Sequence, residues 1–154
     1  MTDLSSLYND RILELAARIK PAKRLDEPHA TASAHSKLCG STIAVDLKMA
    51  ADRVAEYGQT VKACLLGQAS ASVMAEHIIG SSGDELRRLA AEMRRMLKEN
   101  GPAPSGKWAD LAVLEPVREV KARHTSTLLV FEAVERALDS LDAERQAKTE
   151  AHRA

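Results

Sequence analysis

Cys39 and Cys64 are the only two cysteines in 154 residues, and thiol is the side-chain chemistry that serves both soft metals and sulfur nucleophilicity. They stand 25 positions apart, which matches neither a zinc-finger nor a redox Cys-x-x-Cys spacing. Free cysteines often simply pack. These two, however, fall at element boundaries rather than on apolar faces. Cys64 follows Val61-Lys62-Ala63, the expected end of a strand, and opens Leu65–Glu76, a helix built largely from small residues. A thiol on the first turn of a helix is ringed by N–H groups without intrahelical partners, at the positive end of the helix dipole. That setting suits a thiolate, the form that binds metal and attacks sulfur. Cys39 lies in Lys37-Leu38-Cys39-Gly40-Ser41, just before another strand. If the two strands pair, both sulfurs reach one end of a small sheet. The chemistry implied is metal or sulfur handling, with an incomplete ligand set.

Imidazoles are the next candidates. His124 sits near an expected helix start, and imidazole suits iron or zinc; the alternative is a histidine that merely leads into the helix. His29 and His35 lie in the segment before Cys39, within reach if that segment is a loop. His77 falls inside a helix, as packing, and His152 in the tail. Lys121 and Arg123 offer a docking patch or a solvated edge. No Gly-rich phosphate loop, H-E-x-x-H, nucleophile elbow or dinucleotide fingerprint is present.

The elements that must position these groups follow from periodicity. Leu4, Leu7, Tyr8, Ile12, Leu15, Ala16 and Ile19 paint one face of a helix over residues 4–19, capped by Asp3 and stopped by Pro21. Residues 20–37 show no period and read as a long loop. Thr42–Met49 alternates cleanly, with Ile43, Val45, Leu47 and Met49 on one side. A hairpin turn at Ala51-Asp52 leads to a second strand, Arg53–Ala63, with Ala55, Tyr57, Val61 and Ala63 inward and a bulge or bend at Gly58. So short a connection makes the pair antiparallel. Helices follow over 65–79 and from Ser82, where Ser82 and Glu85 have capping-box spacing, to Asn100-Gly101-Pro102. A Pro/Gly/Ser linker reaches a short amphipathic piece at Trp108, Leu111 and Leu114. The last helix starts near Thr125 or Ser126, and a charged, frayed tail begins after about Ala143. The class is α+β: a small antiparallel sheet of two to three strands with helices on one face, in one domain spanning 1–154.

Composition narrows the function classes. Lys+Arg and Asp+Glu both number 22, so no electrostatic footprint for nucleic acid or an anionic membrane exists. Four aromatic side chains are too few for base-stacking platforms. No run is long and apolar enough to span a bilayer, and Asp3, Ser5 and Ser6 stand where a signal peptide needs basic and apolar residues. The expectation is a cytoplasmic protein with reduced thiols.

Cys39-Gly40 entering a strand, and Ala63-Cys64 followed by a Gln-Ala-Ser-Ala-Ser helix, resemble the U-type iron–sulfur cluster scaffold family (IscU, the NifU N-terminal domain, SufU). The Tyr8…Ile12-Leu13 helix with its Pro-containing loop is similar too, as is Val117–Arg123, the run before the family's third cysteine. The insert between Cys64 and that run looks more like the SufU branch. The resemblance covers roughly residues 8–140 and implies a SufE/NifU-like fold. It also implies that Cys39 and Cys64 accept persulfide sulfur and ligate iron or a transient iron–sulfur cluster. A cysteine desulfurase and cluster recipient or carrier proteins would be the partners. Two departures stand out. The family's aspartate after Cys-Gly is Ser41 here, and its third cysteine is Ser126. A serine hydroxyl is a poor ligand beside thiolates. His124, a second subunit in a homodimer or exogenous thiols would have to complete the set. The resemblance makes the chain a scaffold rather than an enzyme. Its alternatives are a zinc-assisted sulfur-transfer partner of a desulfurase, with accessory sulfurtransferase activity, or an interaction module that has lost metal chemistry.

Overall fold

The computed structural model describes residues 9–19, 23–38 and 40–153, with side chains to residue 150. Helix α1 runs Asp10–Ala17, and strands β1 (Ala30–His35), β2 (Thr42–Ala50) and β3 (Arg53–Lys62) follow. Next come α2 (Leu65–His77) and α3 (Gly83–Lys98). A 3-10 segment, Gly106–Glu119, then leads through a short 3-10 turn, Lys121–Arg123, into α4, His124–Arg153. The sheet is a meander in the order β1-β2-β3, antiparallel throughout. α4 packs on β1 and β2, while α2 lies between α1, β3, α4 and the 3-10 segment. No helix among the described residues is long and apolar enough to cross a membrane.

Three strands form where periodicity alone gives two. The segment read as a loop contains β1, whose small Ala30, Ala32 and Ala34 lie opposite Leu47, Val45 and Ile43. Pairing on β2, not intrinsic preference, makes it a strand, because alanine is a weak strand former. The inner face is completed by Val61 opposite Ile43, Gln59 opposite Val45 and Tyr57 opposite Leu47. The irregularity falls between Lys48 and Met49 rather than at Gly58. It turns Val54 inward, 1% exposed, and leaves Ala55 outside.

Gly58 serves a different end. A Cβ there would come within 2.4 Å of the Lys23 carbonyl oxygen, so only glycine lets residues 23–25 cross the outer face of the sheet. Directly opposite Gly58 lies Asp46, buried on that face and clamping the crossing segment. Its carboxylate accepts two bonds from Arg24 at 2.6 and 2.9 Å, one from the Leu25 N–H at 3.0 Å and one from Thr31 at 2.6 Å. The Arg24 guanidinium, with Thr31 and the Leu25 N–H, holds the Asp46 carboxyl down to about 2.

Helix ends follow local chemistry. The described part of α1 starts with Asn9, whose side chain accepts from the Ile12 N–H; Asp3 and Pro21, the expected bounds, lie outside the described residues. Ser82 caps α3 by accepting from the Glu85 N–H at 3.1 Å. The carboxylate of Glu85 does not close a capping box. It accepts instead from Trp108 Nε1 at 2.9 Å. Within the 3-10 segment Trp108, Leu111, Leu114 and Val117 recur every third residue, and all four are buried, as a three-residue turn requires. The charged stretch after Ala143 lies within α4, which continues to Arg153 and is built there from strong helix formers such as Glu, Arg, Gln, Ala and Lys.

The β2–β3 turn places Ala51 at a φ of 58°, a left-handed conformation that costs a residue with a Cβ roughly 1 kcal/mol or more. Ala51→Gly should therefore raise stability by about 0.5 kcal/mol, the relieved strain outweighing the added unfolded-state freedom. A urea midpoint at or below wild type would contradict this.

Candidate metal and sulfur site

Chain direction at the end of β3 fixes where Cys64 goes. After Lys62 the strand gives way to Ala63, and Cys64 becomes the N-cap of α2 with φ −65° and ψ 172°. Its side chain makes no capping bond, leaving the sulfur for other contacts. One is with Ser126: the thiol donates to Ser126 Oγ at 3.4 Å, and that hydroxyl donates to the Arg123 carbonyl at 3.2 Å. Ser126 lies in the first turn of α4 and is 1% exposed. Two helix N-termini therefore meet at the sulfur, each with the positive end of its dipole toward the site. Gly67 makes this approach feasible. A Cβ on it would lie 2.8 Å from that of Ala63 and 3.1 Å from the Ser126 carbonyl oxygen.

The separation of the two side chains matters chemically. Tetrahedral zinc holds sulfur at ~2.3 Å and oxygen at ~2.0–2.2 Å, which sets neighbouring S and O ligands roughly 3.5 Å apart. Cys64 Sγ and Ser126 Oγ at 3.4 Å thus match two corners of one tetrahedral ion. A neutral hydroxyl at the second corner leaves the donor set weak.

Cys39, the other half of the expected pair, lies outside the described residues. Its flanking backbone is described. The β1–β2 turn is closed by Ser36 N–H to Ser41 carbonyl at 2.8 Å and Gly40 N–H to Ser36 carbonyl at 2.9 Å. The register pairs His35 with Thr42 and Thr42 with Lys62. This turn therefore lies at the same end of the sheet as the β3–α2 junction. Ser41 is buried next to the first residue of β2. Leu38 in the turn is 75% exposed.

The imidazoles divide differently from the sequence expectation. His124 opens α4 but turns its Nε2 to the Val117 and Arg118 carbonyls at 3.1 and 3.2 Å. It thereby ties the end of the 3-10 segment to the helix, and that nitrogen is committed. His29 and His35 flank and end β1 rather than riding a mobile loop. His29 Nδ1 accepts from the Met49 N–H at the sheet end away from Cys64, and His35 Nδ1 meets Thr42 Oγ1 at 3.1 Å. Of these two, only His35 shares the end that carries the turn. Lys121 is exposed and Arg123 half-buried in the turn before α4. What sequence reasoning missed here is Gly67, whose signal is a glycine inside a helix opened by the candidate ligand.

A solved structure of the N-terminal part of a nitrogen-fixing NifU-like protein from Brucella abortus is 52% identical, with a TM-score of 0.88 over 91% of this chain and 97% of that one. The iron–sulfur cluster assembly scaffold protein IscU of Thermotoga maritima is 26% identical over 135 residues, 88% of this chain and 94% of that protein. A structure from Fervidobacterium islandicum, described as a candidate cluster assembly scaffold for the SUF system, is 19% identical with a TM-score of 0.80; it speaks to the fold alone. No family model matches the chain.

Proposed function

This chain belongs to the U-type iron–sulfur cluster assembly scaffold family, and we propose that it carries iron or a nascent iron–sulfur cluster on the thiolates of Cys39 and Cys64. The observation behind this reading is the position of Cys64. Its sulfur sits where two helix N-termini converge, with a single hydroxyl 3.4 Å away at Ser126. N–H dipoles at that point complement the negative charge of a bound sulfide or cluster. Residues 38 and 40, which flank Cys39 in sequence, lie at the same sheet end, which supports a second thiolate sharing one ion or sulfur atom with Cys64. Ser126 and Ser41 stand at the positions of the family's remaining ligands and supply weaker donors, which makes the cargo labile. The cluster here is cargo passed on to recipient proteins, not a resident cofactor.

Sulfur arrives, in this account, from a cysteine desulfurase. The Cys64 thiolate attacks the outer sulfur of the donor's persulfide, a new S–S bond forms, the donor's S–S bond breaks, and the donor cysteine leaves as a thiolate. Atoms and electrons balance without a further reagent. The exposed Leu38 gives a partner an apolar contact beside the site. The reducing cytoplasm is the compartment in which these thiols persist. A second reading, zinc-assisted sulfur transfer, draws on the same 3.4 Å separation, which suits one tetrahedral ion. Zinc in the purified protein together with faster desulfurase turnover would favour it.

Anaerobic reconstitution with iron and sulfide is the test. The expected result is a weak, labile visible chromophore that Cys64→Ser abolishes. Wild-type protein that stays colourless, or a variant that colours equally, would contradict the scaffold reading.

A further inference from the structure

We propose a second cation site, unrelated to the thiols, where Glu76 and His77 at the end of α2 face Asp110 of the 3-10 segment. One ligand atom from each lies within 4.8 Å of the others, close enough for small side-chain rotations to bring them to the roughly 3.3 Å spacing of nitrogen and oxygen ligands on zinc. One imidazole and two carboxylates form a donor set for zinc-like divalent cations.

The local chemistry points the same way. Four histidines have described side chains, and three use a ring nitrogen in a hydrogen bond: His29, His35 and His124. His77 is the exception: among the described residues its ring nitrogens make no hydrogen bond, and Glu76 Oε2 lies 3.7 Å from its Nε2. The three groups also gather at the C-terminal end of α2, where terminal carbonyls favour a cation and disfavour bare carboxylates. At present two arginines supply the positive charge. Arg18 reaches Glu76 only at 3.5 Å, and Arg11 holds Asp110 at 2.7 Å. Both already contact Glu14, at 2.9 and 3.4 Å, so a cation can release them to a carboxylate within reach. That alternative partner keeps the exchange of arginine for metal inexpensive.

A reporter is built in. Trp108, the only tryptophan, meets the His77 ring edge-on with centroids 6.0 Å apart. The experiment uses the full, tag-free chain carrying Cys39→Ser and Cys64→Ser, so its outcome does not depend on the scaffold reading. Titration with Ni²⁺ should quench Trp108 fluorescence saturably at one equivalent, and Zn²⁺ should reverse the quench by competition. His77→Gln should raise the midpoint at least about tenfold, the loss of roughly 1.4 kcal/mol of binding. Asp110→Asn should raise it several-fold, and it decides the matter if His77→Gln does not unfold cooperatively. Absence of a saturable quench, or folded variants that titrate like their parent, would overturn the proposal.

Discussion

Ser126→Cys is expected to convert a weak holder of iron or zinc into a tighter one, slowing loss of the metal to a chelator by about tenfold or more. The reasoning is geometric. Ser126 is 1% exposed in the first turn of α4, and its Oγ already lies 3.4 Å from Cys64 Sγ. Replacing oxygen by sulfur there adds a third thiolate without moving a helix. Sulfur is slightly larger than oxygen, and in a side chain only 1% exposed the extra volume costs about 1 kcal/mol. The change also removes the hydroxyl bond to the Arg123 carbonyl, but Thr127 Oγ1 donates to the same oxygen at 2.8 Å. Chelator-driven release from metal-loaded wild type and variant checks it. Equal release rates would mean that residue 126 does not face the bound ion.

Asp46→Ala should cost about 2–3 kcal/mol and leave the thiol chemistry intact. Asp46 is 1% exposed and accepts from Arg24, Thr31 and the Leu25 N–H, so its removal breaks all of these bonds at once and frees the segment crossing Gly58. The lower end of that range applies because the Arg24 side chain is itself 44% exposed and can turn to water. The same clamp predicts acid sensitivity. With its carboxyl at about 2 in the folded chain against 3.8 free, Asp46 contributes stability that is complete above the free value. It is lost as pH falls through the window toward the folded value, by about 1–2 kcal/mol. Asp46→Asn should flatten the pH dependence across that window. Urea midpoints at neutral and acid pH decide, and parallel profiles for wild type and Asp46→Asn would contradict the clamp.

The sheet shows how far pattern carries. β2 was legible because Ile43, Val45 and Leu47 alternate with Thr42, Ala44, Asp46 and Lys48, and all three are fully buried. β1 was not, since its inward residues are three alanines with little hydrophobic weight; only their pairing with β2 makes them a strand. Gly58 looked like a bulge, whereas its reason is a backbone crossing from thirty-odd residues earlier, a tertiary fact with no local signature. The amphipathic piece at Trp108, Leu111 and Leu114 was legible only as short; the structure extends it to a 14-residue 3-10 segment in which Val117 continues the three-residue spacing. In the site, the position of Ser126 could be read from residue order, and the structure brings it to Cys64. The use of His124 could not, because the carbonyls that occupy it belong to a segment whose course sequence does not dictate.

We propose that Cys39 and Cys64 together hold the cargo. Iron, zinc and acid-labile sulfide should be measured in anaerobically purified wild type beside the Cys39→Ala, Cys64→Ala double variant. Iron with sulfide is expected in the wild type and neither in the double variant. Equal contents in the two proteins, or none in both, would contradict it.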